Sequence, residues 1–256
     1  MSKRTAVHVL GTPVGVTTLD QVLGAIRAWA KGGESRYVCA CNVHSVATAR
    51  KDSDLRRALV AADLVVPDGM PVALAMRRHG APGQQRISGP DLMWEACSLA
   101  RDAGLGVYLY GSTEATLGKL RQRLPEAFDG LALAGWRSPP FRPLTADEDQ
   151  ADVADIVASG ASVVLVGLGC PKQEAWMHAH RGRVPAVMLG VGAAFDFHAG
   201  TVSRAPGWMQ RLGLEWLHRL YCEPRRLCCR YFSTGLLFLW HALRGTLCSE
   251  KPRPHR

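Results

Sequence analysis

Short β-branched apolar runs alternate with amphipathic stretches along this chain from its start to about residue 206. The clearest block opens with Val163-Val164-Leu165-Val166, stops at Gly167-Leu168-Gly169-Cys170-Pro171 and turns polar at Lys172-Gln173-Glu174. An amphipathic stretch then leads to a second apolar run, Val184 to Val191. Apolar run, Gly-rich turn, helix, apolar run is the pattern of a βαβ unit in a sheet covered on both faces. The same alternation predicts strands at Val7 to Leu10, Tyr37 to Cys41, Leu64 to Val66, Val107 to Tyr110 and Leu131 to Gly135. It predicts helices over Leu19 to Ala30, Val43 to about Lys51, Leu55 to Ala62, Leu92 to Asp102 and Asp147 to Ser159. Gly11-Thr12-Pro13 reads as a turn, Asp52-Ser53-Asp54 as a helix cap, and Trp136 to Pro143 as an irregular Pro-rich loop. The spacing from Ser35 to Val191 suits one open, mainly parallel α/β sheet with helices on both faces.

After Arg204-Ala205-Pro206 the pattern changes, which divides the chain into a domain over 1–206 and an appendage over 207–256. Trp208, Leu212, Trp216, Leu217 and Tyr221 interleave with Arg211, Arg219, Arg225 and Arg226, and beyond Arg230 comes the apolar run Phe232 to Leu243. That run falls short of the roughly 18–20 residues a membrane span requires. Residues 201–256 hold ten Lys and Arg against three Glu, a local +7 of the total +9. A nearly neutral core with a basic tail points to an anionic partner, lipid head groups or nucleic acid. Two readings stand: a docked helical pair with Arg facing water, or a basic, aromatic region lying on an anionic membrane. Trp, Leu and Phe beside the Arg residues favour lipid over nucleic acid.

Composition changes little else. The chain is 47% hydrophobic and 21% charged, ordinary for a protein that builds a core. Its eight cysteines include no CxxC pair and no zinc-ligand spacing, which favours reduced thiols. The N-terminal stretch lacks the apolar segment of a secretory signal.

Open α/β sheets bind ligands beyond the carboxyl ends of their strands, where Gly admits a close approach and the next helix offers free N–H groups. Gly167, Gly169, Lys172 and Gln173 occupy one such strand end, and Gly111-Ser112-Thr113-Glu114 another. Asp68, between Pro67 and Gly69, is either a turn residue or a carboxylate held at the sheet edge to act as general base. Arg86 is a candidate phosphate clamp. No turn spells G-x-G-x-x-G, and Lys172 stands where the third Gly would be, which counts against a nicotinamide oxidoreductase. Asp52-Ser53-Asp54 has the spelling of a metal-binding Asp-x-Asp but the position of a cap. Asp196, His198 and Glu174 read as structural, with a catalytic role left open, and His44 is a further candidate contact.

Taken together, Asp68-Gly69-Met70, Arg86 to Asp91, Gly167 to Glu174, Gly192 to Asp196, Arg204-Ala205-Pro206, and Gly213 to Leu220 with Glu223 to Arg226 resemble the WecG/TagA/CpsF glycosyltransferases. The blocks follow the family's order over roughly residues 5–235. The resemblance implies a Rossmann-like core with a membrane-contacting C-terminal appendage. It implies an inverting, metal-independent transferase without a cofactor, moving a sugar from a UDP donor to a saccharide on a polyprenyl diphosphate. The setting it implies is the cytoplasmic face of the bacterial inner membrane, as a peripheral protein in surface-polysaccharide synthesis, with no nucleic-acid partner and self-association open. Asp68 takes the place of the family's base. The family's motif residues fall on Asn42, Arg86 and Gln173 at the donor and on Arg219 and Arg226 at the acceptor diphosphate; Gly69, Gly111, Gly167, Gly169 and Lys172 are added as donor candidates, and Arg225 and Arg230 as acceptor-diphosphate and membrane candidates. Two departures stand out: Ala40 and Cys41 precede Asn42 where members often carry Thr, and Cys229 precedes Arg230 where a paired Arg is usual.

Overall fold

The structure, a computed structural model, describes residues 5–248 apart from the side chains of residues 226, 229 and 230. It opens with a difference from expectation. β1 (Ala6–Val9) pairs antiparallel with β2 (Thr12–Gly15), so Thr12 and Pro13 belong to a strand and not to a turn. The turn is Leu10-Gly11, both at positive φ (49° and 83°), the two-residue geometry whose twist matches paired strands. In a two-stranded sheet every strand is an edge, which is where Pro is tolerated.

α1 (Leu19–Lys31) buries Val22, Ile26, Trp29 and Ala30, a single apolar face at helical spacing. Gly33, at φ 62°, ends it: the Glu34 N–H reaches back to the Trp29 carbonyl at 2.9 Å. β3 (Arg36–Cys41) leads into α2 (Val43–Ala49), and α3 (Ser53–Ala61) starts at the expected cap, Asp52, whose side chain accepts from the Asp54 and Leu55 N–H groups. β4 (Leu64–Pro67), α4 (Met70–Arg78), α5 (Gly89–Ala103), β5 (Val107–Gly111) and α6 (Glu114–Ala127) follow. β6 (Leu133–Arg137) takes in Trp136 and Arg137, expected in a loop, because they pair with Leu109 and Tyr110 of β5. α7 (Ala146–Ala158) begins with a reciprocal Thr145–Glu148 capping box. Then come β7 (Val163–Gly167), α8 (Lys172–His180), β8 (Val187–Gly190) and α9 (Ala194–His198). The tail forms α10 (Gly207–Arg211), α11 (Glu215–Cys222) and α12 (Pro224–Leu243), where a helical pair was expected.

The main sheet has six strands in the order β4-β3-β8-β7-β5-β6. β3 with β8, β8 with β7, β7 with β5, and β5 with β6 run parallel. This is the expected α/β fold. Val163, Val164, Leu165 and Val166 are fully buried, which explains why β7 reads as a continuous apolar run rather than an alternating one.

The chain forms two compact units. One comprises Ala40–Ser88 with the described parts of Met1–Thr18 and Val202–Arg256. Here α12 packs along α2, β2 lies beside β4, and the Leu10 N–H donates to the Leu247 carbonyl at 2.7 Å. The other comprises Leu19–Cys39 and Gly89–Thr201, with α1 against α5 and α9 against both α5 and α6.

Candidate functional site

In the first unit the candidate chemistry gathers at the end of β4. Asp68 leaves the strand with its N–H bonded to the Cys41 carbonyl at 2.9 Å. Gly69 then adopts φ 87°, a conformation that L side chains rarely adopt, and turns the chain into α4. Asn42 does two things. Its Oδ1 caps α2 by accepting from the His44 and Ser45 N–H groups (3.0 and 3.2 Å). That fixes the amide so that Nδ2 points at Asp68 Oδ2, 3.2 Å away. The Ile87 N–H bonds the Pro67 carbonyl at 2.8 Å and so lays the Arg86 segment beside the same strand end.

Arg86 is not a solvated surface residue. Its Nη1 meets Glu215 Oε2 at 3.0 Å and its Nη2 donates to Gln210 Oε1 at 3.3 Å. The Glu215 Oε1 faces Arg204 Nε at 3.7 Å, and Arg204 Nη2 donates to Ser88 Oγ at 3.4 Å. Glu215, Arg219 and Glu223 recur every four residues along α11, and Arg219 pairs with Glu223 at 3.8 Å. Trp216, Leu217 and Tyr221 of α11 are exposed. These charges act on Asp68. Burial pushes its carboxyl above the usual carboxylate range; the Asn42 hydrogen bond pulls it down, Glu215 pushes it up, and Arg219 and Arg86 pull it down.

In the second unit, the chain leaves β5 toward β6 on one side and leaves β7 toward β8 on the other. Strand order reverses between them, which is where such sheets open a crevice. Gly111 and Gly167 are the facing last residues of these strands. A Cβ on Gly111, at φ 111°, would lie 2.7 Å from the Gly167 carbonyl carbon, and a Cβ on Gly167 would lie 2.7 Å from the Phe195 ring. Only glycine lets the backbones close there. Gln173, buried, accepts from the Gly169 N–H at 3.2 Å and donates to Glu174 Oε1 at 3.0 Å. Gly190 and Gly192 leave it room: a Cβ on either would come within 3.2 Å of its amide. Burial raises the Glu174 carboxyl, and the Gln173 hydrogen bond opposes it. Lys172, the first residue of α8, is exposed. His198 donates from Nε2 to the Pro90 carbonyl (2.9 Å) and stacks on Trp94, a packing role.

The structure therefore brings Asn42, Asp68, Gly69, Arg86 and Arg219 together in one unit, and Gly111, Gly167, Gly169, Lys172 and Gln173 in the other. Arg225 is exposed, and the Arg226 and Arg230 side chains lie outside the described residues. His44, two residues after Asn42, lines a cleft of about 580 Å³ between α2, α3 and α12. Arg204, Gln210 and Glu215 were not singled out from the sequence. The only signal for them there is their position in or near the Arg204-Ala205-Pro206 and Gly213 to Leu220 blocks. Among the described residues, no three His, Cys, Asp or Glu side chains are grouped to hold a metal ion.

Comparison with known proteins places the chain among glycosyl transferases. An N-acetylglucosaminyldiphosphoundecaprenol N-acetyl-beta-D-mannosaminyltransferase of Bacillus spizizenii is 32% identical over 212 residues, covering 82% of this chain and 76% of that protein. The Bacillus subtilis protein of the same description is 30% identical over 209 residues, covering 81% and 75%. The model of the glycosyl transferase WecG/TagA/CpsF family matches residues 7–252. The chain belongs to the WecG/TagA/CpsF family of glycosyl transferases.

Proposed function

We propose that this protein transfers a sugar from a UDP-sugar to a saccharide carried on a polyprenyl diphosphate, by a single inverting displacement at the anomeric carbon. One observation carries the reading: at the end of a sheet strand the Asp68 carboxylate is held by the Asn42 amide at 3.2 Å, with burial raising its pKa against the pull of Arg219 and Arg86. Inversion needs one base to take the acceptor hydroxyl proton as the new bond forms. Asp68 is that base, and its raised pKa makes it a stronger one than an ordinary aspartate. The leaving UDP develops charge on its diphosphate, which guanidinium groups and helix N-terminal N–H groups stabilise without a metal ion. Donor contacts are assigned to Asn42, Gly69, Arg86, Gly111, Gly167, Gly169, Lys172 and Gln173. Acceptor diphosphate contacts fall to Arg219, Arg225, Arg226 and Arg230. The names of the two relatives support a lipid diphosphate carrying N-acetylglucosamine as the acceptor class.

The appendage over 207–256 is the membrane contact. α12 buries Leu227, Phe238 and His241 on one side and exposes Phe232, Leu236, Leu239 and Leu243 on the other. Among the described residues no helix is long and apolar enough to cross a membrane. An exposed apolar stripe flanked by Arg suits a protein lying on a leaflet, where each Lys or Arg contributes about 1 kcal/mol. The cytoplasmic face of the bacterial inner membrane is the setting that supplies both substrates.

The test is a panel of UDP-sugars offered with a short-chain lipid diphosphate bearing N-acetylglucosamine, read by mass. A gain of one sugar is expected with one donor, and no gain with any donor overturns the reading. Asp68→Ala is expected to lose ~10²–10⁴-fold in turnover while still binding UDP; near-normal turnover removes Asp68 from the chemistry.

A further inference from the structure

Two guanidinium groups from segments far apart in the chain converge on one carboxylate. Arg86 places Nη1 3.0 Å from Glu215 Oε2, while Arg204 holds Nε 3.7 Å from Glu215 Oε1, longer than a hydrogen bond. Each is steadied from behind, Arg86 by Gln210 and Arg204 by Ser88. The Arg86 side chain is only 17% exposed and that of Glu215 20%. A planar carboxylate offers two oxygens and one charge to this pair. A phosphoryl group offers three oxygens and more charge, and so satisfies both forks together.

We infer that Arg86 and Arg204 form a diphosphate seat, and that the Glu215 carboxylate is the internal anion a substrate diphosphate replaces. The inference rests on reading the Asp68 cluster as the transfer site, and it adds Arg204 as a ligand and Glu215 as its competitor. Glu215 and a diphosphate repel one another, so the seat accepts one or the other. Because Glu215 is the first residue of α11, releasing it frees the start of the helix that carries the exposed Trp216, Leu217 and Tyr221.

Isothermal titration of the full chain with inorganic pyrophosphate tests this. Glu215→Gln, which keeps shape and removes charge, is expected to bind pyrophosphate roughly tenfold tighter than the wild type, and Arg204→Ala roughly tenfold weaker. A gain is diagnostic, because damaged packing lowers affinity. Glu215→Asp keeps the charge but shortens its reach to Arg86, and is expected to fall between. If Glu215→Gln binds no tighter, the stand-in role is overturned while the proposed transfer reaction stands. If Arg86→Ala binds pyrophosphate as the wild type does, the cluster is not a diphosphate seat and both readings of it fall. Repeating the titrations with UDP and with farnesyl diphosphate identifies the source. A gain confined to UDP assigns the seat to the donor, and a gain confined to farnesyl diphosphate assigns it to the acceptor; a gain with neither overturns it.

Discussion

Replacing Asn42 with serine separates two jobs that one side chain performs. Its oxygen caps α2 through two backbone N–H groups, and its Nδ2 holds Asp68 at 3.2 Å. Serine also caps helices well, so Asn42→Ser retains the first job and loses the second; alanine loses both. A hydrogen bond to a charged group contributes about 1.5–3 kcal/mol. Both side chains are only half-buried, so the lower end applies, about 1.5 kcal/mol. The bond favours the ionised carboxylate, so its loss raises the Asp68 pKa further and moves the acidic limb of kcat/KM to higher pH. Asn42→Ser is expected to be up to about 1.5 kcal/mol less stable than the wild type, with the acidic limb of kcat/KM moved to higher pH. Asn42→Ala is expected to show the same kinetics and to be about 1 kcal/mol less stable than Asn42→Ser. Urea titrations and a pH series of initial rates are the assays. If Asn42→Ser kept the wild-type pH profile, the amide would have no part in tuning Asp68.

Other outcomes follow from the same geometry. Gly111→Ala forces a side chain into positive φ and against the Gly167 backbone, and is expected to cost at least ~2 kcal/mol. By contrast Gly118→Ala in α6, with nothing within 4 Å, is expected to stabilise by ~0.5–1 kcal/mol; thermal melts compare the two. Glu148, held down to about 2 by Arg142 and the Thr145 N–H, and Asp149, where Arg183 and His180 outweigh the upward push of burial, both have lowered pKa values. Lowered folded pKa values mean stability that is present above the unfolded carboxylate range, near ~4, and is lost as pH falls toward about 2. Glu148→Gln is therefore expected to be less stable than the wild type at pH ~5, with the gap closing in acid, as urea unfolding at both pH values will show. Phe232→Ser with Leu243→Ser removes two exposed apolar groups from α12 and is expected to weaken partitioning to anionic vesicles by tenfold or more, measured by co-sedimentation.

Much of the fold is legible in the chain because its signals are local. The face of α1 built by Val22, Ile26, Trp29 and Ala30, the apolar run of β7, and the Asp52 cap each need only a few neighbouring residues to be recognised. β2 escapes because a Leu10-Gly11 turn with Leu at positive φ has no sequence signature, while Gly-Thr-Pro spells a turn. Trp136 and Arg137 escape because pairing with β5, not local propensity, makes them strand. The site divides the same way. Asp68, Gly69 and Gln173 stand at strand ends that periodicity locates, but the engagement of Arg86 by Gln210 and Glu215 spans more than a hundred residues and leaves no local trace. Glu174 reads as a first-turn carboxylate, whereas its complete burial is a tertiary outcome.

The unit that carries Asp68 is assembled from three separated stretches, described over residues 5–18, 40–88 and 202–248. Asn42, Asp68 and Arg86 leave the ribosome more than a hundred residues before Arg204, Gln210, Glu215 and Arg219. During translation the carboxylate waits without the charges that set its proton affinity, and Arg86 waits without its two helical partners. A product stopped before residue 202 contains every segment of the other unit yet lacks all four late side chains. Asp68 therefore meets Glu215 and Arg219, two of the charges that set its proton affinity, only after the whole of the other unit has been made.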